Sequence, residues 1–153
     1  MKRRHFVQAG TAGAILLLTG EIFKARAYDD VRISKGKINT LVHRDKPSLL
    51  EKKHVPLVEA PKVVKPGEWF KVNVKVGYMV EHPSKPDHWI DRIELQVDGK
   101  KVSEIINNAG GVTSPNACFT IRLDKPGDVK LDAIADCNLH GTWLGEPVYI
   151  KVS

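Results

Sequence analysis

From residue 70 onward, apolar side chains recur at every second position. Phe70, Val72, Val74, Val76 and Tyr78 alternate with Lys71, Asn73 and Lys75. A two-residue period puts one face of an extended chain against a core and the other in water, so it predicts a half-buried strand. Ile93, Leu95 and Val97 repeat the pattern and run into Asp98-Gly99, a strong signal for a two-residue hairpin, with residues 102–106 as the return strand. Ala117, Phe119, Ile121 and Leu123 alternate next. After Pro126-Gly127-Asp128 come Val129, Leu131, Ala133, Ala135 and Cys137 on one face, and Val148, Ile150 and Val152 close the chain. About seven short strands broken by turns such as Lys65-Pro66-Gly67 and Gly110-Gly111 predict a single antiparallel β-sandwich over residues 51–153. No amphipathic helix is expected there, and residues 28–50 read as an extended, irregular arm.

The first 27 residues have a different character. Lys2, Arg3 and Arg4 precede the small and apolar run 9–20, and Ala25-Arg26-Ala27 fits a small-x-small cleavage site, so residues 1–27 are expected to be a cleavable export signal. Arg3-Arg4 followed by His5-Phe6 resembles a twin-arginine signal, the route for proteins exported already folded, which places the mature chain in the periplasm. An uncleaved N-terminal anchor is the competing reading. The whole chain of 153 residues carries a net charge of +6, but beyond residue 27 there are 19 basic and 17 acidic residues, a net of +2. That balance, with no nucleic-acid-binding motif, argues against a nucleic-acid partner. Beyond the leader no run approaches the roughly 18 apolar residues of a membrane span. Two cysteines are too few for a disulfide framework or a four-cysteine metal site.

The chemistry lies in the histidines. His54 precedes Val55-Pro56, and His82 and His88 bracket the loop Pro83-Ser84-Lys85-Pro86-Asp87. His140 follows Cys137 by three residues, at the end of a core-facing strand, where Gly141 lets the chain turn away. A single loop histidine is ordinarily a solvated side chain, and Cys137 alone is readable as a small core hydrophobe. Several histidines on proline-pinned loops together with Cys-x-x-His favour a metal site. Nitrogen and sulfur donors without carboxylates point to iron, copper or zinc rather than magnesium or calcium.

Three segments, Lys53-His54-Val55-Pro56, then Glu81-His82-Pro83 with Asp87-His88-Trp89-Ile90, then Cys137-Asn138-Leu139-His140-Gly141-Thr142-Trp143, resemble in order the signatures of superoxide reductases, the neelaredoxin and desulfoferrodoxin iron proteins. The resemblance spans residues 50–153 and implies an immunoglobulin-like sandwich. It implies that His54, His82, His88 and His140 are the equatorial nitrogen ligands of a mononuclear non-haem iron cycling between Fe2+ and Fe3+. Cys137 is then the axial thiolate, which pushes electron density onto the metal. Superoxide would take one electron at the open sixth position and leave as hydrogen peroxide. Lys53 matches a lysine that attracts the anion and helps deliver a proton; a solvated surface lysine is its plain alternative. The resemblance also implies a dimer or tetramer.

Two departures stand out. The family usually carries a glutamate two residues before the first histidine, where this chain has Lys52, with Glu51 one residue further away. If the segment is an extended strand, that shift turns Glu51 to the opposite face, away from the metal. Residues 28–50 also lack the cysteines of the additional iron domain of desulfoferrodoxins. The chain therefore resembles the one-iron class and needs a separate periplasmic electron donor, such as a c-type cytochrome or a rubredoxin-like protein. Cys118 matches no ligand and reads as a structural thiol, with a Cys118–Cys137 disulfide as its competitor. Trp89 and Trp143 read as packing around the ligand segments, and His43 as solvated. Two other functions compete: a cupredoxin-like electron-transfer protein, disfavoured because Met79 lies far from the Cys-x-x-His segment, and a non-enzymatic redox-sensing or interaction module.

Overall fold

The computed structural model describes residues 36–153. The proposed leader at residues 1–27 lies outside them, as does the first part of the arm. Two sheets make up the body. A three-stranded sheet runs β1 (Pro56–Glu59), β3 (Trp69–Val76), β6 (Asn116–Arg122), all antiparallel. The second runs β2 (Val63–Val64), β9 (Val148–Val152), β7 (Gly127–Cys137), β4 (Ile90–Val97), β5 (Lys100–Ile106), with β8 (Gly141–Leu144) also paired to β7. Its pairs are antiparallel except for the two-residue contact of β2 with β9.

The alternation in the sequence sets these strands. On β3, Phe70, Val72, Val74 and Val76 are buried while Trp69, Lys71, Asn73 and Lys75 are exposed. They meet Ile93, Leu95, Leu131 and Ala133 from the facing sheet in one apolar core. Asp98 and Gly99 both take positive φ, 50° and 77°, the backbone required by the tight turn joining β4 to β5. The strand expected to include Tyr78 stops at Val76, because Gly77 adopts φ 78° and turns the chain out of the sheet. The short strands β1, β2 and β8 add to the six longer ones, being too brief to show a period of their own.

β4 departs from simple alternation. A bulge between Ile90 and Arg92 inserts Asp91 into the pairing with β7, so Ile90 stays opposite Cys137 while Arg92 falls opposite Asp136. Ile90 keeps its place in the core, and Arg92 lies buried between Glu94 and Asp136, with an ion pair to each.

The absence of helix expected after the leader is corrected by α1 (Leu49–His54), one and a half turns long. Ser48 caps it through a capping box with Glu51. The Glu51 carboxylate also accepts from the backbone N–H of Val42 (2.7 Å) and His43 (3.1 Å), folding the preceding arm onto the helix. The arm itself joins β8: Asn39 and Trp143 form a parallel bridge.

The register places several loop ends together. β1 starts at Pro56 opposite Val76, where β3 ends, and Ile90 at the start of β4 lies opposite Cys137 at the end of β7. The end of α1, the β3–β4 connection and the β7–β8 turn therefore all emerge at one end of the sandwich.

Candidate metal centre

That end carries the five donors singled out from the sequence. His54 is the last residue of α1, and its Nδ1 lies 2.7 Å from the carbonyl oxygen of Leu50 one turn back. His82 is held the same way by the carbonyl of Pro83, at 2.7 Å. A carbonyl only accepts, so both rings carry their proton on Nδ1 and present a bare Nε2. Gly77 makes room for His82: a Cβ at that position would sit 2.5 Å from the His82 backbone nitrogen.

His88 closes a tight turn in which Lys85 and His88 exchange backbone hydrogen bonds of 2.9 and 3.1 Å. Cys137 and His140 belong to a three-residue hairpin, Cys137 being paired with Gly141, which takes φ 73°. This turn brings the His140 Nδ1 to 3.4 Å from the Cys137 sulfur.

The four imidazoles form a square. Neighbouring ring centroids are 4.7 Å apart for His54–His82, 4.7 Å for His82–His88, 4.8 Å for His88–His140 and 4.7 Å for His54–His140. Each neighbour meets the next edge-on, at 67° to 81°, while the opposite pair His54 and His88 lies 6.2 Å apart and nearly parallel at 27°. Ligand atoms of His54, His82, His88 and Cys137 all fall within 4.8 Å of one another.

This array fits a single transition-metal ion. Nε2 of His82 and of His88 are buried and have no hydrogen-bond partner among the described residues, a costly state for a polar atom unless something else occupies its lone pair. The His54 Nε2 and His140 Nδ1 are 3.0 Å apart. Two nitrogens bound side by side to one ion at about 2.1 Å stand about 3.0 Å apart. Burial lowers His54 and His82 from 6.5 to about 4, with the neighbouring imidazoles adding to the effect, and burial lowers His88 as well. The rings are thus neutral at physiological pH, the state that binds metal. Burial pushes the Cys137 thiol up, while the N–H groups of Leu139 and His140 pull it back, so coordination itself would remove its proton.

The sequence profile of the desulfoferrodoxin family matches residues 46–146, which includes all five donors. The chain belongs to the desulfoferrodoxin family. Among its relatives, the superoxide reductase of Thermococcus kodakarensis is 40% identical over 103 residues, covering 61% of this chain and 84% of that protein. The superoxide reductase of Pyrococcus furiosus is 35% identical over 111 residues, covering 61% and 86%. The superoxide reductase (neelaredoxin) structure from Ignicoccus hospitalis superposes with a TM-score of 0.63 at 34% identity, covering 76% of this chain and 95% of that one.

Within this desulfoferrodoxin-family chain the remaining residues fall into place. Lys53 is half-buried beside His54, close enough for its charge to weigh on both His54 and His88. Lys85 weighs on His88 in the same way and was not singled out by sequence. Glu51 does not face the metal site, but the strand argument for that is overturned: it is a helical residue whose carboxylate is consumed by backbone N–H groups. Those hydrogen bonds, foremost with Ser48, hold it down at about 2. Trp143 stacks on His54 at 5.1 Å and donates from Nε1 to the His140 carbonyl, and Trp89 donates to the Asn107 carbonyl, so both pack around the ligand segments. Both cysteines are free: Cys118 is exposed on β6, whereas Cys137 is buried. Sequence reasoning missed the clamp formed by Glu51, although Ser48-x-x-Glu51 carried its signature.

Proposed function

We infer that this protein is an iron-dependent superoxide reductase of the one-iron class. It converts superoxide, one electron and two protons to hydrogen peroxide. The observation that carries this reading is the square of four imidazoles with a buried cysteine beside it. His54, His82, His88, His140 and Cys137 would hold the iron. Iron held there would supply one-electron redox chemistry toward superoxide, and the Cys137 thiolate would raise its electron density.

The protein's own groups prepare that chemistry. The Leu50 and Pro83 carbonyls fix the tautomers of His54 and His82. Trp143 covers one face of His54 and shields it from water. Lys53 lends positive charge at the rim, raising the local concentration of a small anion and orienting water as the proton source. With Glu51 engaged elsewhere and Lys52 in the family's glutamate position, no carboxylate of this segment competes with the substrate for the metal.

The leader supports export as a folded protein to the periplasm, with a separate donor such as a c-type cytochrome or rubredoxin-like protein supplying electrons. Among the described residues no helix is long and apolar enough to cross a membrane.

The test is an anaerobic superoxide titration of the ferrous protein followed by visible absorption. A thiolate-to-ferric band with near-stoichiometric peroxide is expected. Cys137→Ser is expected to lose both the band and turnover, and retained turnover would sink the assignment. Tight iron binding by the parent without peroxide would favour a redox-sensing module instead.

A further inference from the structure

Asn138 makes more contacts with the His88 loop than its place between two ligands requires. Its backbone N–H donates to the Trp89 carbonyl at 3.2 Å. Its side-chain Oδ1 accepts from the Trp89 backbone N–H at 2.9 Å, and its Nδ2 donates to the Asp87 carbonyl at 2.8 Å. Ile90 and Cys137 form the last pair of the β4–β7 ladder at this end, so Trp89 and Asn138 would be the next. In an ordinary antiparallel ladder the Trp89 N–H would bond to a backbone carbonyl of the facing strand. Here the carboxamide of Asn138 takes that role. The main chain is thereby released to turn through residues 138–140 and deliver His140, while the pairing with the β4 side is preserved.

We propose that Asn138 is a positioning residue that fixes His88 relative to Cys137. It grips the chain on both sides of His88, at the Asp87 carbonyl and at the Trp89 N–H, from a backbone position next to the cysteine. Among the described residues His88 has no side-chain hydrogen bond to a carbonyl of the kind that orients His54 and His82. Its placement therefore depends on the backbone, through the Lys85–His88 turn on one side and the Asn138 grip across it. A short polar side chain with a donor and an acceptor in one plane is needed. Alanine supplies neither, and aspartate supplies only the acceptor.

This inference rests on the metal-centre reading above, and its test separates the two. Metal-free full-length protein, Asn138→Ala and Asn138→Asp are titrated anaerobically with cobalt(II), whose thiolate charge-transfer and ligand-field bands report the donor set and its geometry. Wild-type protein is expected to bind one equivalent with a thiolate band. Asn138→Ala is expected to bind about 10-fold or more weakly with displaced ligand-field bands, as for loss of a group that orients a ligand. Asn138→Asp, which keeps the acceptor for Trp89, is expected to fall between them. A purely structural role would lower the urea midpoint of the metal-free variants and leave the cobalt spectrum unchanged. Wild-type affinity within twofold and an unchanged spectrum in Asn138→Ala would overturn the proposal; should that variant not fold, the same two readouts on Asn138→Asp decide. A wild-type protein without a thiolate band would overturn the metal centre and this inference together.

Discussion

The buried imidazoles make the metal-free protein sensitive to mild acid, by an amount that follows from their protonation. His54 and His82 are each 1% exposed, and burial lowers both from 6.5 to about 4. An unfolded chain binds a proton at each near pH 6.5, whereas the folded chain refuses it until about pH 4. The stability these residues confer is therefore complete above pH 6.5 and is lost as pH falls toward 4. Each proton taken up on unfolding contributes a slope of about 1.4 kcal/mol per pH unit, so His54 and His82 together give about 3 in the middle of the window, and His88, lowered as well, adds to it. Over the whole window the loss is about 3 kcal/mol per histidine, a large share of the 5–15 kcal/mol of a typical domain. Glu51, lowered from 4.5 to about 2, loses its contribution in a separate and more acidic range. Urea unfolding of the metal-free protein at half-unit steps from pH 7.5 to 4.5 measures the slope. His82→Gln removes one of these protons and is expected to reduce it by roughly a third to a half. A slope below about 1 kcal/mol per unit, or one that His82→Gln leaves unchanged, would refute the reasoning.

Arg92→Met leaves Glu94 and Asp136 facing each other without their shared cation; a loss of about 3–5 kcal/mol is expected, with a melting temperature lower by roughly 12 °C or more, and Glu94→Leu in the same chain should restore part of it. Gly77→Ala places a methyl group 2.5 Å from the His82 backbone nitrogen at a positive φ, so metal affinity measured by competition with a chelator should fall about tenfold or more while the strands persist by circular dichroism. Cys118→Ser, on an exposed strand face away from the core, should change neither the thiolate band nor the unfolding midpoint beyond about 0.5 kcal/mol.

The long strands were legible because a half-buried sheet writes its period directly into the chain, as β3 does from Phe70 to Val76. The grouping of the five candidate donors was legible through the spacing of His82, His88 and Cys-x-x-His and through the family resemblance; spacing alone could not have shown that His54 joins them from 86 positions away in the chain from His140. α1 was not legible, since six residues contain too few turns to display a helical period. Its capping box was visible all the same, and it is what diverts Glu51 from the site. The burial of Arg92 and Glu94 on β4 carried no signal in the alternation of Ile93, Leu95 and Val97, because it depends on the bulge at Asp91 and on the ion pairs of Arg92 with Glu94 and Asp136. Asn138 carried no periodic signal, because its role lies in replacing a backbone carbonyl.

With a metal bound, the square of imidazoles would also act on the chain as a topological fastener. His54 lies ahead of the first strand and His140 just beyond the seventh, so a metal held by both closes a loop that encloses nearly all of the sandwich. Such a cross-link restricts the open ensemble much as a disulfide does, without needing an oxidant. It cannot form while the chain is still short of its last hairpin. Capture by the full donor set is thereby tied to completion of the hairpin that carries Cys137 and His140, and a chain that stops before it offers only His54, His82 and His88.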